Sequence, residues 1–266
     1  MKRLFLILAA ALAASNATAA DSLTMADFNH SIKLQVAGYT GTETLQNFPV
    51  LVRVSETRIP GFYFADMSAK NVNGKAMGYD LAFFAEDGTR LEIDKDVWNI
   101  DTTVEPTGEQ LVWVKLPQMK QGTKFFMCYN VDDGKYVTND NPWGDYVGVW
   151  HLNETGKNPT IADATANGMN GKALANTGAA VSAGKIGGAR RIATSNDHAY
   201  GIVIDATNGV PQKAVADSLG TDFHASFWMM AGTSTEGSLK WGNILGRRKG
   251  DNGCLLYTSP SPRDRG

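Results

Sequence analysis

The sequence predicts an all-β protein: one complete β-rich domain followed by the start of a second. Three observations carry this. Past the N-terminal leader, no long segment spaces its apolar residues at helical intervals. Six short stretches within residues 28–130 read as strands with turn signals between them, the pattern of a β-sandwich. The turn formers Asn139, Asp140, Asn141 and Pro142 then mark a boundary before GDYVGVWHLNE (residues 144–154). In that stretch Tyr146, Gly148, Trp150 and Leu152 alternate with Val147, Val149 and His151. This period of two predicts a strand buried on both faces.

The leader comes first. Lys2 and Arg3 precede an apolar run over residues 4–14, and Ala17-Thr18-Ala19 supplies the small-x-small pattern of a signal-peptidase site. The run is shorter than the roughly 20 apolar residues a spanning helix needs. Residues 1–19 are therefore expected to be a signal peptide, with the mature chain starting near Ala20 or Asp21. The product is expected to be exported: periplasmic, at the cell surface or extracellular. Beyond the leader no apolar stretch is long enough to cross a membrane, so no membrane span is expected.

Charge narrows the partners. Of 25 Lys and Arg, two lie in the leader and two (Arg263, Arg265) in the C-terminal tail; of 27 Asp and Glu, one (Asp264) lies in that tail. The remaining chain has a net charge of −5, which argues against a nucleic-acid or anionic-membrane partner. The cysteines, Cys128 and Cys254, show no framework spacing, so no disulfide is expected and Cys128 is read as a small buried hydrophobe.

The strands of the first domain are justified one by one. Ile32, Leu34 and Val36 alternate with Lys33 and Gln35, a half-buried antiparallel strand. Residues 38–47 are polar and glycine-broken, and 48–54 return to a strand. Further strands are expected over 79–85, 91–98, 110–116 and 123–130. Asp87-Gly88 between two of them is a hairpin signal, and Pro117 and Gly122 punctuate the last pair.

FPVLVRVSE (48–56), YDLAFFAEDGTRLEIDKDVWN (79–99) and LVWVKLPQMKQGTKFFMCYN (111–130) together resemble a bacterial domain of unknown function, number 2341. The likeness covers roughly residues 26–130 in the family's order, with Tyr129-Asn130 standing where the family more often has Tyr-Gly-Asn. It implies a small β-sandwich on an exported protein, commonly followed by a laminin-G-like domain, with no catalytic residue to carry over. VGVWHLNE (147–154), ADATANGMNGKA (162–173), GKIGGARRI (184–192) and FHASFWMM (223–230) are similar to the opening of a concanavalin A-like, laminin-G-like jelly roll. Gly187-Gly188 suits a tight approach before a strand, and Phe223, Ala225, Phe227 and Met229 alternate with His224, Ser226 and Trp228. Residues 194–198 depart from that family's acidic-aromatic pattern.

CLLYTSPSPRD (254–264) breaks the style of everything before it and resembles one reading frame of a sequencing adapter. The expected organisation is thus a signal peptide (1–19), a β-sandwich domain (20–143), a truncated laminin-G-like jelly roll (144–253) and an adapter-derived tail (254–266).

Candidate chemistry is sparse. Glu92, Asp94 and Asp96 share one face of a strand, as the two carboxylates of a retaining jelly-roll glycosidase do at about 5–5.5 Å. The third is Asp rather than Glu and Lys95 interrupts the run, so a solvated strand face is expected instead. Asp132, Asp133, Asn139, Asp140, Asn141 and Asp145 offer oxygen ligands for Ca²⁺ without the spacing of a calcium loop, and read as a linker. Asp163, Asn167 and Asn170 raise the same question, and any metal remains unassigned. His30, His151, His198 and His224 lack zinc spacing, and no nucleophile motif accompanies them. Of Trp143, Trp150, Trp228 and Trp241, which could stack on sugar rings, Trp150 is expected in the core and Trp143 exposed beside Pro142 and Gly144. Arg247-Arg248-Lys249 reads as a solvated loop end. No catalytic or cofactor-binding residue is assigned.

The expected function is therefore non-enzymatic binding or adhesion at the bacterial envelope or surface, toward glycan or protein. Two alternatives stand beside it: the exported sensor part of a TolQ/ExbB-type proton-channel protein, and a carbohydrate-active hydrolase.

Overall fold

A computed structural model describes residues 23–67, 80–97, 109–131, 137, 140–154, 159–173, 177–181, 184–192, 202–204 and 224–228. The expected signal peptide, Asp132, Asp133, Asn139, His198, Trp241, Arg247-Arg248-Lys249 and the expected adapter-derived tail lie outside them. The fold is all-β. Apart from the two three-residue 3-10 turns Met25–Asp27 and Phe64–Asp66, every described element is a strand. Among the described residues no helix is long and apolar enough to cross a membrane.

The first half contributes β1 (Phe28–Gln35), β2 (Leu45–Val54), β3 (Ala82–Ala85), β4 (Ile93–Val97), β5 (Gln110–Met119) and β6 (Lys124–Val131). They form two three-stranded antiparallel sheets in the orders β1-β6-β3 and β2-β5-β4. All six overlap the stretches in which the sequence alternates. Phe83, Phe125, Met127 and Tyr129 from the first sheet share one core with Val52, Val54, Ile93, Val112 and Val114 from the second. Phe62 and Phe64, from the loop after β2, close it, with Phe62 edge-on to both Phe64 and Tyr129. Burying each such side chain is worth about 1.5–3 kcal/mol, which is what holds the two sheets face to face.

The Asp87-Gly88 turn forms as expected, but its outcome differs from a simple hairpin. Gly88 has φ +86°, its N–H reaches the Ala85 carbonyl, and the Leu91 N–H reaches Phe83 O at 2.8 Å. The pairing stops there. The chain then leaves the β1-β6-β3 sheet and enters the other as β4. The turn chemistry set the reversal, whereas sheet membership followed burial of Leu91 and Ile93, which are 2% and 0% exposed.

The second half contributes β7 (Thr160–Ile161), β8 (Gly171–Ala173), β9 (Thr177–Val181), β10 (Ala189–Ile192) and β11 (Ile202–Ile204). These make two small antiparallel sheets, β11-β8-β7 and β10-β9. Two sequence expectations fail here. Residues 144–154 are extended and irregular rather than a doubly buried strand: their backbone is tied by side chains and turns, and Tyr146 is 41% exposed. Leu152 has φ +61°, incompatible with a continuous strand. Residues 224–228 are likewise not a strand, and Phe227 and Trp228 are exposed instead of alternating into a core.

The Gly187-Gly188 pair does serve a close approach. Gly187 has φ +57°, and a Cβ on Gly188 would stand 2.9 Å from the Asn153 backbone. The quoted motifs of the second half also meet one another. Asn167 donates to the carbonyls of Tyr146 and Val147, Trp150 Nε1 donates to Met169 O at 2.9 Å, and Arg190 donates to Glu154 O.

Candidate functional site

The most concentrated chemistry lies on the outer face of the β2-β5-β4 sheet, where two stretches singled out in the sequence meet. The strand period puts Asp94 and Asp96 on the face opposite Ile93, and Asp94 pairs across the ladder with Trp113. Residues 141–154 lie over this face. Trp143 is 4% exposed and donates its indole N–H to Asp94 Oδ2 at 2.8 Å. The imidazole of His151 sits between the two carboxylates, Nε2 to Asp94 Oδ2 at 2.8 Å and Nδ1 to Asp96 Oδ2 at 3.3 Å. Asp96 also accepts from Trp113 Nε1 at 3.2 Å and from the Asn153 amide at 3.1 Å. Trp143 stacks edge-on against Trp113 and Tyr146, at 5.3 and 5.4 Å between ring centres.

Burial and charge compete at this cluster. Burial pulls the His151 imidazolium down, but the bond to Asp94 and the charges of Asp96, Asp94 and Glu154 outweigh it and raise its pKa above the ordinary histidine value. Burial pushes the Asp96 carboxyl up, only partly offset by His151 and the Trp113 and Asn153 bonds. Lys95 points the other way. Burial draws its ammonium down to about 8, against the pull of Asp80 and Asp140, and it donates to Val137 O at 3.3 Å.

This geometry corrects three expectations. The face of Asp94 and Asp96 is not solvated, because the junction covers it; only Glu92 keeps a half-exposed carboxylate, paired with Lys115 at 2.8 Å. Trp143 is buried rather than exposed, since its indole N–H finds a carboxylate under the sheet-covering segment. Trp150, expected in the core, is half-buried. The arrangement anchors residues 141–154 to β4. A glycosidase pair needs one oxygen aimed at a leaving group and another at an anomeric carbon, and here the pair faces indole, imidazole and amide donors.

Among the described residues, Asp140 and Asn141 of the first oxygen-rich cluster and Asp163, Asn167 and Asn170 of the second make structural bonds. Asp140 makes a two-pronged pair with Arg90 at 2.7 and 2.9 Å, and Asn141 Oδ1 accepts the Trp143 N–H. Asp163 accepts four bonds, from the N–H groups of Val149, Thr165 and Met169 and the Thr165 hydroxyl. Those bonds use the lone pairs a cation would need. Asn170 Oδ1 accepts the Asp163 N–H. Among the described residues, no group of three His, Cys, Asp or Glu side chains is arranged to hold a metal ion. Cys128 is buried and free, its thiol pushed up by burial and 3.5 Å from the Ser31 hydroxyl. His30 stacks on Tyr129 at 4.9 Å, and His224 is exposed.

A different surface was only partly legible. Trp228 is 71% exposed and Phe227 52%, with Lys185 Nζ 5.5 Å from the centre of the Trp228 ring. The sequence marked Trp228 as a stacking candidate; the partnership with Lys185, from a glycine-rich turn 43 positions earlier, had no local signal. No protein-family profile matches the chain, and no match is found among curated proteins or solved structures.

Proposed function

We propose that this chain is a non-enzymatic binding protein of the bacterial envelope or surface that recognises glycan or protein outside the cytoplasm. The observation that carries the reading is the exposed pair Trp228 and Phe227 beside Lys185. Large aromatic side chains facing water are poor for solubility and good for contact. An indole face stacks on the apolar face of a sugar ring or on an apolar side chain, and an adjacent ammonium adds a donor for hydroxyl or carboxylate. The engagement of Asp94 and Asp96 by Trp143, His151, Trp113 and Asn153 supports binding over hydrolysis. The ordered basic, apolar and small-residue regions of the leader support export.

Titration calorimetry of the full chain against neutral and acidic oligosaccharides tests the glycan form of this reading. The expected result is saturable binding that Trp228→Ala abolishes and Lys185→Ala weakens, with melting temperature unchanged. Release of reducing sugar that disappears in Asp94→Asn or Asp96→Asn would overturn it in favour of a hydrolase.

A further inference from the structure

The His151 cluster does more than fasten the junction. Both ring nitrogens face carboxylate oxygens, at 2.8 Å to Asp94 and 3.3 Å to Asp96. A neutral imidazole has one N–H and can satisfy only one of them; a doubly protonated ring satisfies both. We propose that His151 is a proton-operated latch, holding residues 141–154 on the β2-β5-β4 sheet when charged and loosening them when neutral. This stands independently of what the chain binds.

The surroundings fix the direction. From β4, Asp94 and Asp96 face the ring; from the junction itself, Glu154 adds a third negative charge and Tyr146 packs on the far side of Trp143. Lys115 and Glu92 neutralise one another beside Gly144. Lys95, Arg90 and Asp140 lie at the inner side and edge of β4. With anions dominating its immediate contacts, the ring holds its second proton more tightly in the folded chain than in the unfolded one. A raised pKa contributes stability that is complete below the ordinary histidine value and is lost as pH rises through the folded value. The raised Asp96 carboxyl has the same sign, at lower pH. That step bears on overall stability alone; ionised Asp96 is what the ring grips, so within the latch it is loss of the histidine proton that weakens the hold as pH rises.

Loss of the proton leaves one ring nitrogen with a lone pair aimed at a carboxylate oxygen. The longer contact, Nδ1 to Asp96, is the one expected to open. Asp96 then keeps only uncharged donors among these contacts, the Trp113 indole and the Asn153 amide. The segment is then held to the sheet by the uncharged bonds of Trp143 to Asp94 and Asn153 to Asp96, and irregular backbone held this way opens more readily.

The two carboxylates carry their own reporters, since Trp143 donates to Asp94 and Trp113 to Asp96. Heteronuclear NMR of the full chain should show both indole N–H signals moving with one midpoint above the ordinary histidine value. Hydrogen-exchange protection across 144–154 should fall about tenfold from about pH 6 to about pH 9, the factor for one charge-assisted bond. His151→Gln should remove that pH dependence. Asp96→Asn, which keeps a side chain of the same shape, should lower the histidine midpoint. An equal fall in His151→Gln, a midpoint below the ordinary value, or an unmoved midpoint in Asp96→Asn would overturn the latch.

Discussion

Replacing Asp94 with Ala is the sharpest test of how the junction is held. The carboxylate is 8% exposed by residue and accepts from Trp143 and His151, both at 2.8 Å. Its removal leaves a buried indole N–H without this acceptor, worth about 1–3 kcal/mol. It also takes one of the two contacting carboxylates from an imidazolium, and a hydrogen bond to a charged group is worth about 1.5–3 kcal/mol. The two losses share one site and do not add fully, so Asp94→Ala should cost about 3–5 kcal/mol, the range for breaking a buried pair. Asp94→Asn, which keeps one carbonyl acceptor, should cost less. Urea unfolding of the full chain near neutral pH, followed by the aromatic circular dichroism of the packed tryptophans, gives both numbers. A double-mutant cycle with His151→Ala should return a coupling of about 1.5–3 kcal/mol. A loss below about 0.5 kcal/mol for Asp94→Ala, the level of an ordinary surface change, would refute the buried clamp.

Three further outcomes are expected. A Cβ at Gly148 would lie 2.2 Å from the Trp150 ring, so Gly148→Ala should cost about 1–3 kcal/mol by displacing that ring, and adding Trp150→Leu should restore part of it in thermal melts. Asp163→Ala should cost about 2–4 kcal/mol for four lost bonds, while added calcium or a chelator should leave the wild-type melting temperature unmoved. Lys95 has its folded pKa lowered to about 8 from 10.5, so the unfolded chain holds its proton longer. Stability should therefore gain a rising component between those two values that Lys95→Met removes, seen as a difference in urea midpoint against pH.

What could be read in advance was the first half. The alternation in Ile32, Leu34 and Val36, and the expected strands ending at Val54 and Asn130, set strand position because each buries a face against the same core. The Asp87-Gly88 turn was legible for the same local reason, but not the change of sheet that follows it. The cluster on the outer face was hidden. Glu92, Asp94 and Asp96 on alternate positions read as a wet face because nothing within the strand covers them; their cover arrives from 49 to 57 positions away. Trp143 misled in the same way: Pro142 and Gly144 mark a turn truly, but a turn can still be pressed onto a sheet. In residues 144–154 the period of two was present without a strand, because Asp163 and Asn167 supply backbone partners that a neighbouring strand would otherwise provide.

The border of the second sheet has a practical consequence for dividing the chain. Among the described residues, β4 has no neighbouring strand on its outer side in the order β2-β5-β4. Asp140 stands in for one, its N–H on the Ile93 carbonyl at 2.8 Å and its carboxylate on the Ile93 N–H at 3.2 Å, while the Asn153 amide takes the Asp96 carbonyl at 2.8 Å. Two side chains and one peptide thus do the work of a selvedge, finishing woven cloth so that it neither frays nor accepts another thread. A fragment cut just before Asp140 would carry the whole core and yet bare that border, inviting strand-to-strand association between copies. The useful place to cut is after Glu154, where the finishing residues stay with the sheet they close.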